Sequence, residues 1–191
     1  DTHAVIERGR KLQTALSDLY QDLKQTRTTY AREQFEETYT TVDNGVSELR
    51  QQLAPARKNG YRLTDAQELT ERISTLRQSI RDVQQSKYCD HIETQRLESL
   101  ADYLPRLDEF ETFIDEKTAF DSLFDDCFTA FQTLKADIKP YLKYRQYLTR
   151  FAYSSICTEG ATIEDDVNEL YQQIDFSILA DTDRQRAEQL E

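Results

Sequence analysis

The sequence predicts an all-α protein, and three observations predict it. Helix breakers are scarce, with four glycines and three prolines in 191 residues. Residues that favour helix (Gln, Leu, Arg, Glu and Ala) are frequent. Apolar residues recur in steps of three and four, and no stretch alternates at period two for long enough to make a strand. The expected architecture is an elongated antiparallel bundle of about six or seven helices, including one long helical hairpin.

The first apolar run is Leu12, Leu16, Leu19 and Leu23. The phase then shifts between Thr26 and Ala31. It resumes as Phe35, Tyr39, Val42, Val46, Leu49 and Leu53. The second run keeps its phase through Asp43-Asn44-Gly45, so those residues are read as a weak point inside one helix. Pro55 and the loop to Gly60 are expected to stop it. Thr64-Asp65-Ala66-Gln67 has the form of a capping box. It opens a helix carrying Leu69, Ile73, Leu76, Ile80 and Val83. Residues 30–86 thus form the expected hairpin.

A further helix is expected to start at Asp90, with that residue as its N-cap. It carries Leu97, Leu100 and Leu104. Pro105 either kinks it or lies in the first turn of the next helix. The richest apolar run follows as Phe110, Phe113, Phe120, Phe124, Cys127, Phe131, Leu134 and Ile138. Within it, Phe120, Phe124, Phe131 and Leu134 are expected to be buried. Pro140 ends or bends that helix. Gly160 reads as a loop, Thr162 as the cap of a short helix, and Thr182 as the cap of a last polar helix. The chain reads as a single helical domain over 1–191, with residues 1–54 as a candidate N-terminal arm and 60–191 as the main bundle. The absence of Met, even at position 1, suggests a fragment of a longer chain or a processed product. Because the heptads shift phase, one long parallel coiled coil is not expected.

Charge is unevenly placed. The net charge is −12. Residues 1–60 balance at zero, residues 108–138 sum to −7, residues 139–158 to +4 and residues 159–191 to −8. The basic stretch is KPYLKYRQYLTRFAY, residues 139–153. Read as one helix, it puts Lys139, Lys143 and Arg150 on one side, within about 40° of one another. Arg145 stands nearer the other side, with Tyr141, Tyr144, Leu148, Phe151 and Ala152 as an inward apolar face. Lys139, Lys143, Arg145 and Arg150 are therefore the candidate contacts to nucleic acid or to an acidic partner. The bland alternative is a solvated face, paired with Asp121, Asp125 and Asp126.

Chemistry-bearing patterns are few. No phosphate-loop, dinucleotide, HExxH or GxSxG motif occurs. Cys89, Cys127 and Cys157 are odd in number and widely spaced, as expected of free thiols in a reducing, cytoplasmic setting. Cys89, Asp90, His91 and Glu93 would need further ligands to hold a metal, and neither His3 nor His91 completes a di-iron motif. Neighbouring acids such as Asp125-Asp126 point to different sides of a helix. No catalytic residue, cofactor or metal is assigned. Arg outnumbers Lys sixteen to eight, which with the acidic balance suits a salt-adapted protein. No apolar run approaches the ~20 residues that span a bilayer, and no signal-peptide pattern opens the chain.

ADTDRQRAEQLE, residues 180–191, resembles the segment preceding the nucleotide-binding loop in some superfamily 1 helicases. Any capped polar helix produces the same letters, and the ATP-binding loop does not follow within the chain. The sequence is therefore assigned to no family. It reads first as a non-catalytic interaction or scaffold module that binds a protein partner or a second copy of itself. The second reading is a nucleic-acid-associated helical domain, accessory to a larger helicase- or nuclease-type protein.

Overall fold

The computed structural model describes residues 2–143 and 149–190. Among them every regular element is helical. The elements are α1 (Thr2–Asn59), α2 (Ala66–Gln84), α3 (Thr94–Ala101), α4 (Tyr103–Lys143), α5 (Arg150–Gln173) and α6 (Asp181–Glu188), with one 3₁₀ turn at Cys89–His91. No helix among the described residues is long and apolar enough to cross a membrane. The chain divides into two compact units, Asp1–Glu48 with Arg72–Leu107 and Leu49–Glu71 with Asp108–Glu191.

In the first unit α1 and α2 run antiparallel. Glu48 pairs with Arg72, Gly45 lies against Leu76, and Tyr30 meets Tyr88 edge-on at 5.4 Å. Phe35, Val42 and Val46 on α1 and Ile73, Leu76 and Ile80 on α2 are buried, as are Leu100, Tyr103 and Leu107. These are the inward positions of the two apolar runs, so the period of the letters set the packing face. Gly45 has a packing reason of its own. A Cβ there would stand 2.8 Å from the Leu76 side chain, so only glycine lets the two helices come this close. The Tyr103 hydroxyl donates to Asp43 at 2.7 Å and lies 3.4 Å from that of Tyr39. Burial, then those two hydrogen bonds, push the Tyr103 phenol well above its ordinary range.

In the second unit α4 and α5 run antiparallel. Gly160 lies beside Leu134, and the Asp175 amide donates to Glu116 at 3.2 Å. Phe110, Phe113, Ile114, Phe120, Phe124 and Cys127 line the buried side of α4. Leu49 and Leu53 of α1, Leu69 of α2, and Val167 and Leu170 of α5 join them. The Arg57 guanidinium sits 4.8 Å from the Phe113 ring centre, and burial lowers its pKa. Cys127 is buried, and its thiol pKa is raised first by burial and then by the charges of Asp166 and Asp126.

Several boundaries differ from the sequence reading, each for a local reason. α1 continues through Pro55 to Asn59, since buried Leu53 and Ala56 hold both sides of the proline in the core. It stops at Gly60, which has φ +66°. Asp90 lies inside the 3₁₀ turn, and Glu93 is the N-cap of α3 without a side-chain cap bond. Thr64 donates its hydroxyl to Asp65, and Gln67 donates to Glu71, so the reciprocal box is not formed through these side chains. Pro105 lies in the first turn of α4, and Pro140 lies inside that helix near its end. Gly160 and Thr162 are both interior to α5, where Thr162 donates to the Thr158 carbonyl at 3.1 Å. Thr182 lies inside α6, whose N-cap is Ala180. Phe120 and Phe124 are buried, whereas Phe131 and Leu134 are half-buried.

Candidate functional site

The basic stretch does not form one helix. α4 ends at Lys143, and Thr149 is extended (φ −70°, ψ 155°) and caps α5 by accepting from the Ala152 amide at 3.1 Å. A wheel drawn across 139–153 therefore has no continuous axis. Lys139 is exposed on α4. Lys143 closes α4 and Arg150 opens α5, but their side chains lie outside the described residues, as does the whole of Arg145. Tyr144 and Leu148 also lie outside them. Of the apolar face expected there, Phe151 is 85% exposed, and Tyr141 and Ala152 are half-buried. The structure thus places one of the four basic side chains.

The cysteine–histidine candidate lies in and beside the 3₁₀ turn. Cys89 and His91 are half-buried in the 3₁₀ turn, with His91 Nδ1 3.5 Å from the Thr28 hydroxyl. No group of three metal-binding side chains occurs among the described residues.

A cluster that sequence reading missed lies in the second unit. Lys117 is completely buried. Its ammonium donates to the Gly60 carbonyl at 3.1 Å, to Asp121 at 3.0 Å and to Asp183 at 2.8 Å. Arg186 adds bonds to Asp121 at 3.2 Å and to Asp183 at 3.1 Å. Its guanidinium covers the Phe124 ring at 4.3 Å. Two cations thus meet two carboxylates, which is the condition for holding such charges away from water. Gly60 is required here twice over. Its φ is positive, and a Cβ would stand 2.8 Å from the Asp183 carboxylate. Asp183 Oδ2 is buried with no hydrogen-bond partner. The only signals in the letters were Lys117 four residues before Asp121 and Asp183 three before Arg186. Such spacings are common on solvated helices. The cluster clasps α4, α6 and the end of α1, and buried Lys117 and Asp183 present no surface to a ligand.

A run of exposed apolar residues lies on α1. Leu12, Leu16, Leu19 and Leu23 are 62%, 60%, 63% and 48% exposed, with Val5 at 69%, Tyr20 at 70% and Tyr30 at 48%. The spacing from Val5 through Leu12, Leu16, Leu19 and Leu23 to Tyr30 follows alternate steps of three and four, with Gly9 and Thr26 filling the two gaps. This is a heptad seam. At 100° per residue it points about 120° away from the α1 face that is buried from Ala31 onward. Apart from Ile6 and Tyr20, that second face is polar before Ala31, with Arg10, Gln13, Ser17 and Lys24 upon it. The packing seen from Ala31 on therefore has no apolar continuation toward Thr2, and the leucine seam is a separate surface. The phase shift in the sequence was its signal, although the letters do not say that this seam stays exposed among the described residues. Comparison with known protein families, characterised proteins and solved structures gives no match for this chain.

Proposed function

We propose that this chain is a non-catalytic helical interaction module that engages a protein helix through the α1 seam at residues 5–30. The observation that supports it is the run of four exposed leucines at heptad spacing. Scattered exposed leucines are ordinary on a folded protein, but a contiguous apolar stripe along one helix is an association surface. Helix-to-helix docking uses this chemistry: apolar anchors three and four residues apart, rimmed by charge. Each unit has its own buried polar tie, the tyrosine–aspartate bond in the first and the ion cluster in the second. No second reading is put forward, because nothing described around Lys139 adds to the nucleic-acid reading.

The test places a photo-crosslinking amino acid at Leu16 or Leu19 of the full chain and irradiates it in its native cell. The expected result is a discrete protein adduct at both positions and none at exposed Arg10 on the opposite face. An absence of adducts at Leu16 and Leu19 overturns the reading.

A further inference from the structure

We infer that the partner on the α1 seam is a second copy of this chain, aligned parallel and in register over residues 5–30. This inference rests on the interaction-module reading and deepens it. It describes a short coiled coil confined to that segment, not the chain-long one that the shifting phase argues against.

Two observations select the occupant. The first is charge. The chain as a whole carries −12, so two copies repel in general. Residues 1–30 differ, with five basic and four acidic residues. This is the segment where like copies meet without net repulsion. The second is the register. With Gly9, Leu16, Leu23 and Tyr30 at one core position, Val5, Leu12, Leu19 and Thr26 take the other. Asp22 and Arg27 then flank the seam five residues apart, the spacing at which side chains of parallel strands face each other. In a parallel pair Asp22 of each copy faces Arg27 of the other, giving two ion pairs across the seam. Ala15 faces Tyr20 in the same way and extends the apolar contact.

The antiparallel alternative fits worse. Centred on the four leucines, it sets Asp22 against Ala15 and Arg27 against Ile6, so both charges face apolar groups. The parallel arrangement also brings Gly9 against its own counterpart, where a Cβ has open space in the single chain.

The experiment is sedimentation equilibrium of the purified full chain from about 1 to about 200 μM, since a dimer responds to concentration. Wild type should approach the mass of two chains at the upper end. Asp22→Arg and Arg27→Asp each replace two attractive pairs with two repulsive ones. Each should weaken the dimer ~10-fold or more, and an equimolar mixture of the two variants should restore it. In a Cys89→Ser/Cys157→Ser background, Gly9→Cys should form a 9-to-9 disulfide under mild oxidation. Leu16→Glu/Leu19→Glu, which keeps good helix formers in α1, should remain monomeric and folded.

A monomer at every concentration overturns the second copy as partner. If crosslinking from Leu16 still gives an adduct heavier or lighter than two chains, the interaction-module reading stands without it. A dimer that Leu16→Glu/Leu19→Glu leaves intact also overturns the inference. So does a dimer that both charge reversals leave unchanged and that gives no 9-to-9 disulfide.

Discussion

Replacing Lys117 with Met keeps the buried aliphatic stem and removes the ammonium. Asp183, fully buried, then keeps Arg186 as its only ion-pair partner in the cluster. Breaking a buried pair from one side leaves charge uncompensated, so Lys117→Met should lower stability by ~3–5 kcal/mol in urea unfolding. Lys117→Met/Asp183→Leu should be less damaging than the single change, because both buried charges go together. Tyr103 gives a pH dependence with a definite sign. In the unfolded chain its phenol ionises near pH ~10. In the folded protein burial and the bonds to Tyr39 and Asp43 hold it protonated above that. Its contribution is fully present below about pH 10 and is lost as pH rises toward the folded pKa. Tyr103→Phe should lose ~0.5–1.5 kcal/mol at neutral pH and show a shallower fall of stability above pH 10. Neither residue was legible in the letters. Lys117 and Asp183 are 66 apart, and isolated charges on helices read as solvated. Only the fold reveals that the Gly60 carbonyl and the Phe120 ring lie against the ammonium.

At the scale of elements, two glycines separate packing from propensity. Gly160 is interior to α5, and a Cβ there would meet only Leu134 at an ordinary 3.9 Å. Gly160→Ala should therefore raise stability by ~0.5–1 kcal/mol, the helix-propensity gain. Gly45→Ala makes the same gain but drives a methyl into buried Leu76, and it should lower stability instead. Thermal unfolding of both variants reads the opposite signs, and a loss at Gly160 would argue for a turn there. Phe124 stacks between Phe120 and Phe128 beneath Arg186. Phe124→Ala should lower stability by ~3–5 kcal/mol, and half-buried Phe131 by less. The element boundaries were the least legible part of the sequence. Thr162 looked like a cap because Thr favours caps. Inside α5 its hydroxyl instead satisfies a carbonyl one turn back, which the letter cannot distinguish. Proline at position 55 likewise reads as a stop until the burial around it is known.

At the scale of the whole molecule, the helical class was plain from composition and period. So were the inward positions Val42, Val46, Ile73, Leu76 and Ile80, all of them buried. The surface proposed for function was only half legible. Leu12, Leu16, Leu19 and Leu23 carry the same pattern as the core runs, and period identifies an apolar face without identifying what covers it. Only the structure shows that the seam is exposed among the described residues. The basic stretch misled for the opposite reason. A helical wheel assumes a continuous helix, and α4 and α5 divide that stretch between them.

The measurement that tests the central claim most directly is hydrogen exchange along α1 at several chain concentrations. A helix of this length with no tertiary cover is marginal by itself, whereas one in a coiled coil is protected. Protection at residues 5–27 should rise with concentration, while protection at Val42, Val46, Leu49 and Leu53 stays constant. Protection at residues 5–27 that is the same at every concentration would contradict the account.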